Sequence, residues 1–474
     1  MSIKSINITK IALAFTAFFA AMFVGVFSLT FVSIIGTHYS YLFTVPVAFI
    51  LCLLFVLNRY LFFALVVVTR ASLDPVFDAV KLGSFGLGAV MNALVIMIAL
   101  MMFLSKEKNF TMKIQHVNIS WIIFLILSFI SVSYAPNKLT SIKVALQFVS
   151  YAAMFYLGVM LVKTHEDFGK WIRAVLYSSV VPVIFGIYSM VFRDPHGFRL
   201  YVGEGMRLFS TTNHPACLAF YLALIISVCF YLIKTKPDYI GSTLQKLLPF
   251  YLLVLLALLV MTKSRTGWIA CGLYFMLYAI IFERKYMIYI FSSAFLALLL
   301  PDVQDRLLDL QSGTSFGATG YERLNSFAWR LKYWTDSIAW MSPSHYFYGY
   351  GLSSFFQLST DFGMGNAFQK QTVKLPAHSV YIQLFFELGI LGVLSFIAIM
   401  ASYILALFRD YSPSQKLLFF VASIITFDYM LAGASDNLLD YLSYIWYHWF
   451  ILGLILSYTK LQSKSATPQM SNKF

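Results

Sequence analysis

Long apolar runs dominate this sequence and set the class of fold that the chain can adopt. A helix of about 17 to 25 apolar residues is long enough to cross the hydrocarbon core of a bilayer. Thirteen runs of roughly this length lie near 11–35, 42–57, 84–104, 119–134, 143–162, 171–192, 213–233, 247–262, 266–282, 286–300, 380–407, 417–433 and 443–459, and a shorter run lies near 60–69. The pattern predicts an all-α polytopic membrane protein with about 12 to 14 transmembrane helices.

The composition agrees with a membrane protein. Of the 474 residues, 60% are hydrophobic and 11% are charged, and the mean hydropathy is +0.78. A soluble globular domain of this size does not need so apolar a composition. The formal net charge of +14 follows from basic loops beside the membrane, so nucleic-acid binding is not expected.

The distribution of lysine and arginine predicts the orientation of the chain. Cytoplasmic loops of membrane proteins carry an excess of these residues. The lysine-rich segments all fall on the side of the N-terminus; they are Ser105–Lys113, Lys163–Arg173, Lys234–Lys246, Glu283–Lys285, Arg409–Lys416 and the tail after Lys460. Both termini are therefore predicted to be cytoplasmic, and the first apolar run is expected to be a retained helix rather than a cleaved signal peptide.

One long polar interval, Pro301–Gly392, interrupts the apolar pattern on the opposite, outer side. It predicts four parts: transmembrane helices with short loops in 1–300, a periplasmic lid in 301–379, C-terminal transmembrane helices in 380–459 and a cytoplasmic tail in 460–474. Within the lid, Tyr321–Trp340 has helical spacing, which places Arg323 and Arg330 on nearly one face. The lid is predicted to cover a site at the membrane surface.

The end of the lid supplies a candidate catalytic group. Pro376 is expected to restart the chain as a helix with His378 in its first turn. The unremarkable alternative for His378 is an interfacial histidine whose ring bonds a backbone carbonyl. Aromatic residues of the interval are candidates either for stacking on sugars or for packing the lid; they are Trp334, Tyr346, Phe347, Tyr348 and Tyr350.

Arginines collect in two shorter outer segments. Arg193, Arg199 and Arg207 lie in one loop, and the tight turn Met261–Gly267 contains Lys263 and Arg265. The planar guanidinium donates two parallel hydrogen bonds to phosphate oxygens and keeps its charge, which makes arginine suited to binding a diphosphate. The alternative is that these side chains only reach lipid headgroups.

Other polar residues of the outer loops suggest structural roles. Arg70 and Asp74 have the i,i+4 spacing of an ion pair, which is favoured over a metal site formed with Asp78. The four cysteines show no metal-binding spacing. Asn213 is a candidate cap for the helix that follows it, and His214 is expected to be structural.

Three motifs together resemble the O-antigen ligase and polymerase family of bacterial surface-polysaccharide enzymes. The first is Ser264–Trp268, with the sequence SRTGW. The second is Arg330-x3-Trp334, followed by Gly349–Gly351. The third is His378-Ser379, nine residues and Gly389–Gly392, which matches the family pattern of His, then Asn, Ser or Gln, nine residues and Gly-x-x-Gly.

The resemblance implies a metal-independent inverting glycosyltransferase without a cofactor. By that resemblance, a glycan carried on undecaprenyl diphosphate at the periplasmic face of the bacterial inner membrane would be transferred to an acceptor sugar hydroxyl. His378 would be catalytic, and Arg207, Arg265 and Arg330 would bind the diphosphate. Further candidates on the outer side are Lys263, Arg199 and Arg323. A chain-length regulator is an additional expected partner, besides the bilayer.

The acceptor stays open at this point. A polymerase transfers the glycan to the repeat unit on another carrier, a ligase transfers it to lipid A core, and a third variant transfers it to protein. The number of spans and the absence of a folded outer domain favour the polymerase slightly, and the histidine motif fits both. A lipid-linked sugar transporter is the alternative from another class, but transporters place such charges near the midplane and commonly contain internal repeats, which this sequence lacks.

Overall fold

The computed structural model describes residues 39–74, 77, 81–82, 85–105, 114–192, 200–201, 207–308, 325–362 and 374–466. The predictions for the first apolar run, both termini, Arg193, Arg199 and Arg323 lie outside the described residues.

The described residues are almost entirely helical. The helices are α1 (Tyr39–Leu57), α2 (Arg59–Thr69), α3 (Leu87–Leu104), α4 (Gln115–Val132), α5 (Lys138–Leu161), α6 (His165–Ser178), α7 (Val180–Phe192), α8 (Pro215–Thr235), α9 (Ser242–Met261), α10 (Arg265–Ile281), α11 (Tyr286–Leu298), α12 (Pro301–Leu308), α13 (Ala328–Trp340), α14 (His345–Tyr348), α15 (Ser354–Leu358), α16 (Val380–Arg409), α17 (Lys416–Gly433) and α18 (Leu442–Ala466). Two antiparallel hairpins of two-residue strands pair β1 (Lys81–Leu82) with β2 (Phe85–Gly86) and β3 (Leu200–Tyr201) with β4 (Arg207–Leu208).

The length and composition of the helices confirm an all-α polytopic membrane protein. Among the described residues, eight segments are long and apolar enough to cross a membrane: Leu87–Leu104, Gln115–Val132, Lys138–Leu161, His165–Phe192, Pro215–Thr235, Ser242–Met261, Val380–Arg409 and Pro413–Gly433. Two shorter apolar helices are Arg265–Ile281 and Tyr286–Leu298. The short run near 60–69 forms α2, whose backbone N–H at Leu61 donates to the side chain of Asn58 over 3.0 Å.

The run predicted at 171–192 is divided into two helices. α6 ends at Ser178, and α7 begins at Val180. Pro182 follows the break, and its ring nitrogen has no hydrogen to donate to the carbonyl four residues earlier, which weakens a continuous helix here. The hydroxyls of Ser178 and Ser179 contact the phenols of Tyr221 and Tyr251 at 2.7 and 2.5 Å.

The centre of the bundle is formed by α8, α18 and α5. α8 is the most buried of the membrane-spanning segments, and α18 packs along α5. The crossing of α5 and α18 depends on Gly158 and Gly453, because a Cβ on either residue would overlap the backbone of the facing helix. Such small residues let two membrane helices approach closely.

Contacts connect loops that the charge pattern predicts to lie on the same face of the membrane. At one end, the Thr211 hydroxyl donates to the carbonyl of Ala71 over 2.8 Å, and the Tyr134 hydroxyl donates to the carbonyl of Tyr348 over 2.7 Å. At the other end, Lys234 contacts Glu283 at 2.5 Å. Segments predicted to share a membrane face therefore lie together.

The glycines of two family motifs hold the lid against the start of α16. Gly349, Gly351 and Gly389 all have positive φ, at 73°, 90° and 67°. The N–H of Tyr350 donates to the carbonyl of Phe386 over 2.9 Å, and the N–H of Gly351 donates to the carbonyl of Glu387 over 2.8 Å. α16 is interrupted at Gly389. The carbonyls of Phe386 and Glu387, just before the interruption, therefore accept hydrogen bonds from the lid.

Replacing Gly389 by alanine is expected to lower the free energy of unfolding by at least about 2 kcal/mol. The new Cβ would overlap the backbone of Phe347, and a non-glycine residue at this φ adds backbone strain. Thermal unfolding of the purified protein in detergent measures the loss. Gly272→Ala in α10 is the matched control, because no atom lies within 4 Å of its added Cβ. Equal melting temperatures for the two variants would contradict the assigned role of Gly389.

Candidate functional site

The turn between α9 and α10 presents Arg265 by fixing the residues around it. The side chain of Ser264 caps α10 by accepting from the N–H of Gly267. Gly267 lies against Ala219 of α8, where a Cβ would collide. The indole of Trp268 donates to the carbonyl of Leu259 over 3.1 Å. Serine, glycine and tryptophan of the SRTGW motif therefore have structural roles, and Arg265 and Thr266 occupy the first turn of α10.

Arg265 and Thr266 connect this turn to two other segments. The Arg265 guanidinium donates to the hydroxyl of Ser326, just before α13. The hydroxyl of Thr266 lies 3.2 Å from that of Ser435, just after α17. The first turn of α10 therefore joins the lid to the turn between α17 and α18.

Arg330 and Arg207 reach the same region from the lid and from the second hairpin. Nη1 of Arg330 donates to the carbonyl of Ser435 over 2.9 Å. Nε of Arg207 donates to the carbonyl of Thr262 over 3.2 Å. All three arginines are partly exposed. The contacts bring together three arginines that are far apart in sequence, and the hydrogen bonds orient their guanidinium groups.

His378 lies immediately before α16, and the prediction that it is in the first helical turn is wrong. Ser379 is the capping residue, and its side chain accepts from the N–H of Ile382 over 3.4 Å. His378 has φ +50°, which is uncommon for a residue other than glycine. The carbonyl before it, that of Ala377, accepts a 2.7 Å hydrogen bond from the indole of Trp334. His378 is thus held in a defined backbone conformation rather than in a regular helix.

The surroundings of His378 favour its neutral form. Desolvation is the main cause that lowers the pKa of His378 to about 4, the positive charge of Arg330 lowers it further, and Asp436 opposes both effects. His378 is therefore neutral at the pH at which an ordinary histidine titrates. Burial is the larger of the two causes, and the charge of Arg330 adds to it.

The turn between α17 and α18 supplies polar residues that the sequence analysis missed. Nδ2 of Asn437 lies 3.4 Å from Nδ1 of His378. Oδ1 of Asp436 accepts from the hydroxyl of Tyr441 over 2.7 Å, and this hydroxyl lies 3.0 Å from Nδ1 of His214. The available signal was the polar run Ser435-Asp436-Asn437 between two apolar spans on the outer side.

Two predictions about structural residues have different outcomes. The cap of α8 is His214 rather than Asn213, since Nδ1 of His214 accepts from the N–H of Ala216 over 3.2 Å. Arg70 and Asp74 form the predicted i,i+4 ion pair, and the pair is buried. The Arg70 guanidinium also lies 5.5 Å from the ring centroid of Trp446. This ion pair belongs to the packed interior.

The described part of the lid differs from the continuous helix predicted at Tyr321–Trp340. α13 begins at Ala328, where Oδ1 of Asn325 accepts from the backbone N–H over 2.8 Å.

Lys263 is partly exposed in the α9–α10 turn, with φ +50°. Among the described residues, no three His, Cys, Asp or Glu side chains are grouped closely enough to hold a metal ion.

Comparison with known proteins identifies one family. Residues 250–397 match the sequence model of a family described as O-Antigen ligase. The matched stretch contains Arg265, Arg330 and His378, while Arg207 precedes it. No curated protein matches the chain significantly. The match confirms the resemblance to the O-antigen ligase and polymerase family that the motifs indicate.

Proposed function

We propose, from the match of residues 250–397 to the O-antigen ligase family, that this chain is a glycosyltransferase of the bacterial inner membrane. It transfers a glycan from undecaprenyl diphosphate to an acceptor sugar hydroxyl at the periplasmic face. The observation that carries the proposal is that hydrogen bonds hold Arg207 on Thr262, Arg265 on Ser326 and Arg330 on Ser435, in segments that contact one another, and that the charge of Arg330 acts on His378.

The arginines act on the leaving group. When the bond between the anomeric carbon and the diphosphate oxygen breaks, its electron pair stays on that oxygen, and negative charge increases there. Donors that already point toward this charge stabilise the transition state, and one such donor contributes on the order of 3 kcal/mol. The hydrogen bonds of Arg265 and Arg330 to the protein limit their motion, so little reorganisation is needed during the reaction.

His378 acts on the acceptor. The acceptor hydroxyl attacks the anomeric carbon from the face opposite the diphosphate, which inverts that centre, and its proton passes to Nε2 of His378. Nε2 can accept this proton only while Nδ1 carries the hydrogen of the neutral ring. Nδ2 of Asn437 lies beside Nδ1, so this tautomer requires the Asn437 amide to turn over, which makes its oxygen the acceptor for the hydrogen on Nδ1. The negative charge of Asp436 favours the imidazolium that results.

The acceptor that we propose is the repeat unit on a second lipid carrier, which makes the protein a surface-polysaccharide polymerase. The alternative acceptor is lipid A core, which would make it a ligase. Both reactions use the same donor chemistry at His378 and the arginines. The acceptor is therefore selected by residues 313–377 of the lid and by the neighbouring outer loops.

A deletion strain is expected to show which acceptor is used. Loss of a polymerase leaves single repeat units attached to lipid A core, and this is the expected result. Long chains that remain on undecaprenyl diphosphate would identify a ligase instead. Normal chains outside the cell together with lipid-linked sugar trapped inside would contradict both and favour a transporter. Gel analysis of lipopolysaccharide and mass spectrometry of the lipid-linked pool distinguish the outcomes, and a plasmid-borne copy of the gene is the control.

A further inference from the structure

Trp329 lies beside the candidate catalytic histidine. Its ring meets the ring of His378 edge to face, with centroids 5.2 Å apart and an interplanar angle of 89°. The guanidinium carbon of Arg330 lies 5.6 Å from the centroid of Trp329. Trp329 therefore lies at the junction between the proposed base and one of the proposed diphosphate ligands.

Trp329 is partly exposed. Its indole N–H differs from that of Trp334 in its hydrogen bonding. The indole N–H of Trp334 donates to the carbonyl of Ala377, and the hydroxyl of Tyr333 donates to the carbonyl of Leu375 over 3.2 Å. These two residues attach α13 to the non-helical segment that ends at His378. Within the described part of the chain, the indole of Trp329 makes no comparable hydrogen bond to this segment.

The position of the histidine decides which part of the substrate lies next to Trp329. A general base must be within hydrogen-bond distance of the proton that it removes, so the acceptor sugar must lie against His378. One face of a pyranose ring exposes polarised C–H groups, and the face of an aromatic ring carries partial negative charge. An indole beside the base therefore offers a stacking surface for the sugar that bears the attacking hydroxyl.

We infer that Trp329 is the platform on which the acceptor sugar stacks, so that it orients the attacking hydroxyl toward His378. The inference rests on the proposed function and adds the location of the acceptor subsite. It assigns sugar stacking to Trp329 rather than to Trp334, whose hydrogen bond to Ala377 gives it a structural role.

The test compares Trp329→Ala and Trp329→Phe with Trp334→Phe in purified full-length protein, supplied with lipid-linked donor and acceptor. Loss of one aromatic stacking contact is expected to raise the acceptor KM of Trp329→Ala by about 3- to 10-fold. The donor KM should stay unchanged, and Trp329→Phe should retain most of the affinity. Trp334→Phe removes the hydrogen bond to Ala377, so it should lower kcat with little effect on acceptor KM.

Binding without turnover gives a second readout. The probe is the oligosaccharide released by mild acid from the lipopolysaccharide of the deletion strain, and saturation-transfer NMR measures its binding to wild-type protein and to the Trp329 variants. Weaker binding by Trp329→Ala, in protein that elutes as a single folded species, supports the platform. An unchanged acceptor KM together with unchanged oligosaccharide binding would overturn it, as would a fall in kcat alone. Wild-type protein that binds the oligosaccharide but transfers no glycan would refute the proposed function while leaving the subsite supported.

Discussion

Replacement of His378 by alanine is expected to leave the protein folded and inserted, and to lower glycan transfer by about 10²- to 10⁴-fold, the usual contribution of a general base. His378 precedes α16, and Ser379 rather than His378 caps that helix, so truncation of the imidazole leaves the helix and its cap intact. Membrane abundance and chain-length laddering of the polysaccharide measure the two effects.

The matched control for this variant is His116→Ala. His116 is exposed near the start of α4, at the end of the bundle away from His378. Its variant should produce normal polysaccharide. Normal ladders from His378→Ala at normal abundance would remove the histidine from the catalytic assignment. Loss of His378→Ala protein from the membrane would instead indicate a structural role.

Substitution of Arg330 is expected to have the second large effect. Both Arg330→Lys and Arg330→Gln should lower kcat/KM by about 10²- to 10³-fold, the cost of removing one well-placed donor to a developing negative charge. Lysine keeps the charge but loses the two parallel hydrogen bonds. A lysine variant with nearly full activity would show that charge alone is needed. Arg409→Lys, at the exposed end of α16, is the control.

The same two variants should differ in the pH dependence of kcat/KM. In the wild-type protein the pKa of His378 is lowered to about 4 by burial and by Arg330. The imidazole therefore stays neutral as the pH falls through its ordinary pKa of about 6.5, and activity is lost only at lower pH. Arg330→Gln removes the positive charge, so the acid limb should move to higher pH. Arg330→Lys keeps the charge and should leave the limb near its wild-type position.

The sequence motifs do not separate the candidate chemical residues of this region from its structural ones. The stretch from His378 to Gly392 appears in the sequence as one motif. In the structure, His378 faces Trp329 and Asn437, whereas Gly389 opens α16 so that the lid can bond to its backbone. The difference lies in backbone dihedral angles, which a pattern of residue types does not specify.

Asp436 and Asn437 belong to none of the sequence motifs, yet the structure places them at the candidate site. Asn437 is 59 residues from His378 along the chain, and a short polar turn between apolar spans has no periodicity that would distinguish it. Only its contact with His378 in the structure makes Asn437 a candidate site residue. The sequence predicted a structural role for His214. In the structure its ring caps α8 and also contacts the hydroxyl of Tyr441.

By itself, the sequence determined the class of fold, the positions of most apolar helices and the division of the loops between two ends of the bundle. These properties depend on local hydrophobicity and charge, because a bilayer selects for apolar length and for the location of basic residues. Only the tertiary structure decided which backbone and side-chain groups hold Arg207, Arg265 and Arg330, and which tryptophan lies beside the ring of His378. Those relations arise from helix packing across the bundle, where residues that are far apart in sequence become neighbours through backbone geometry.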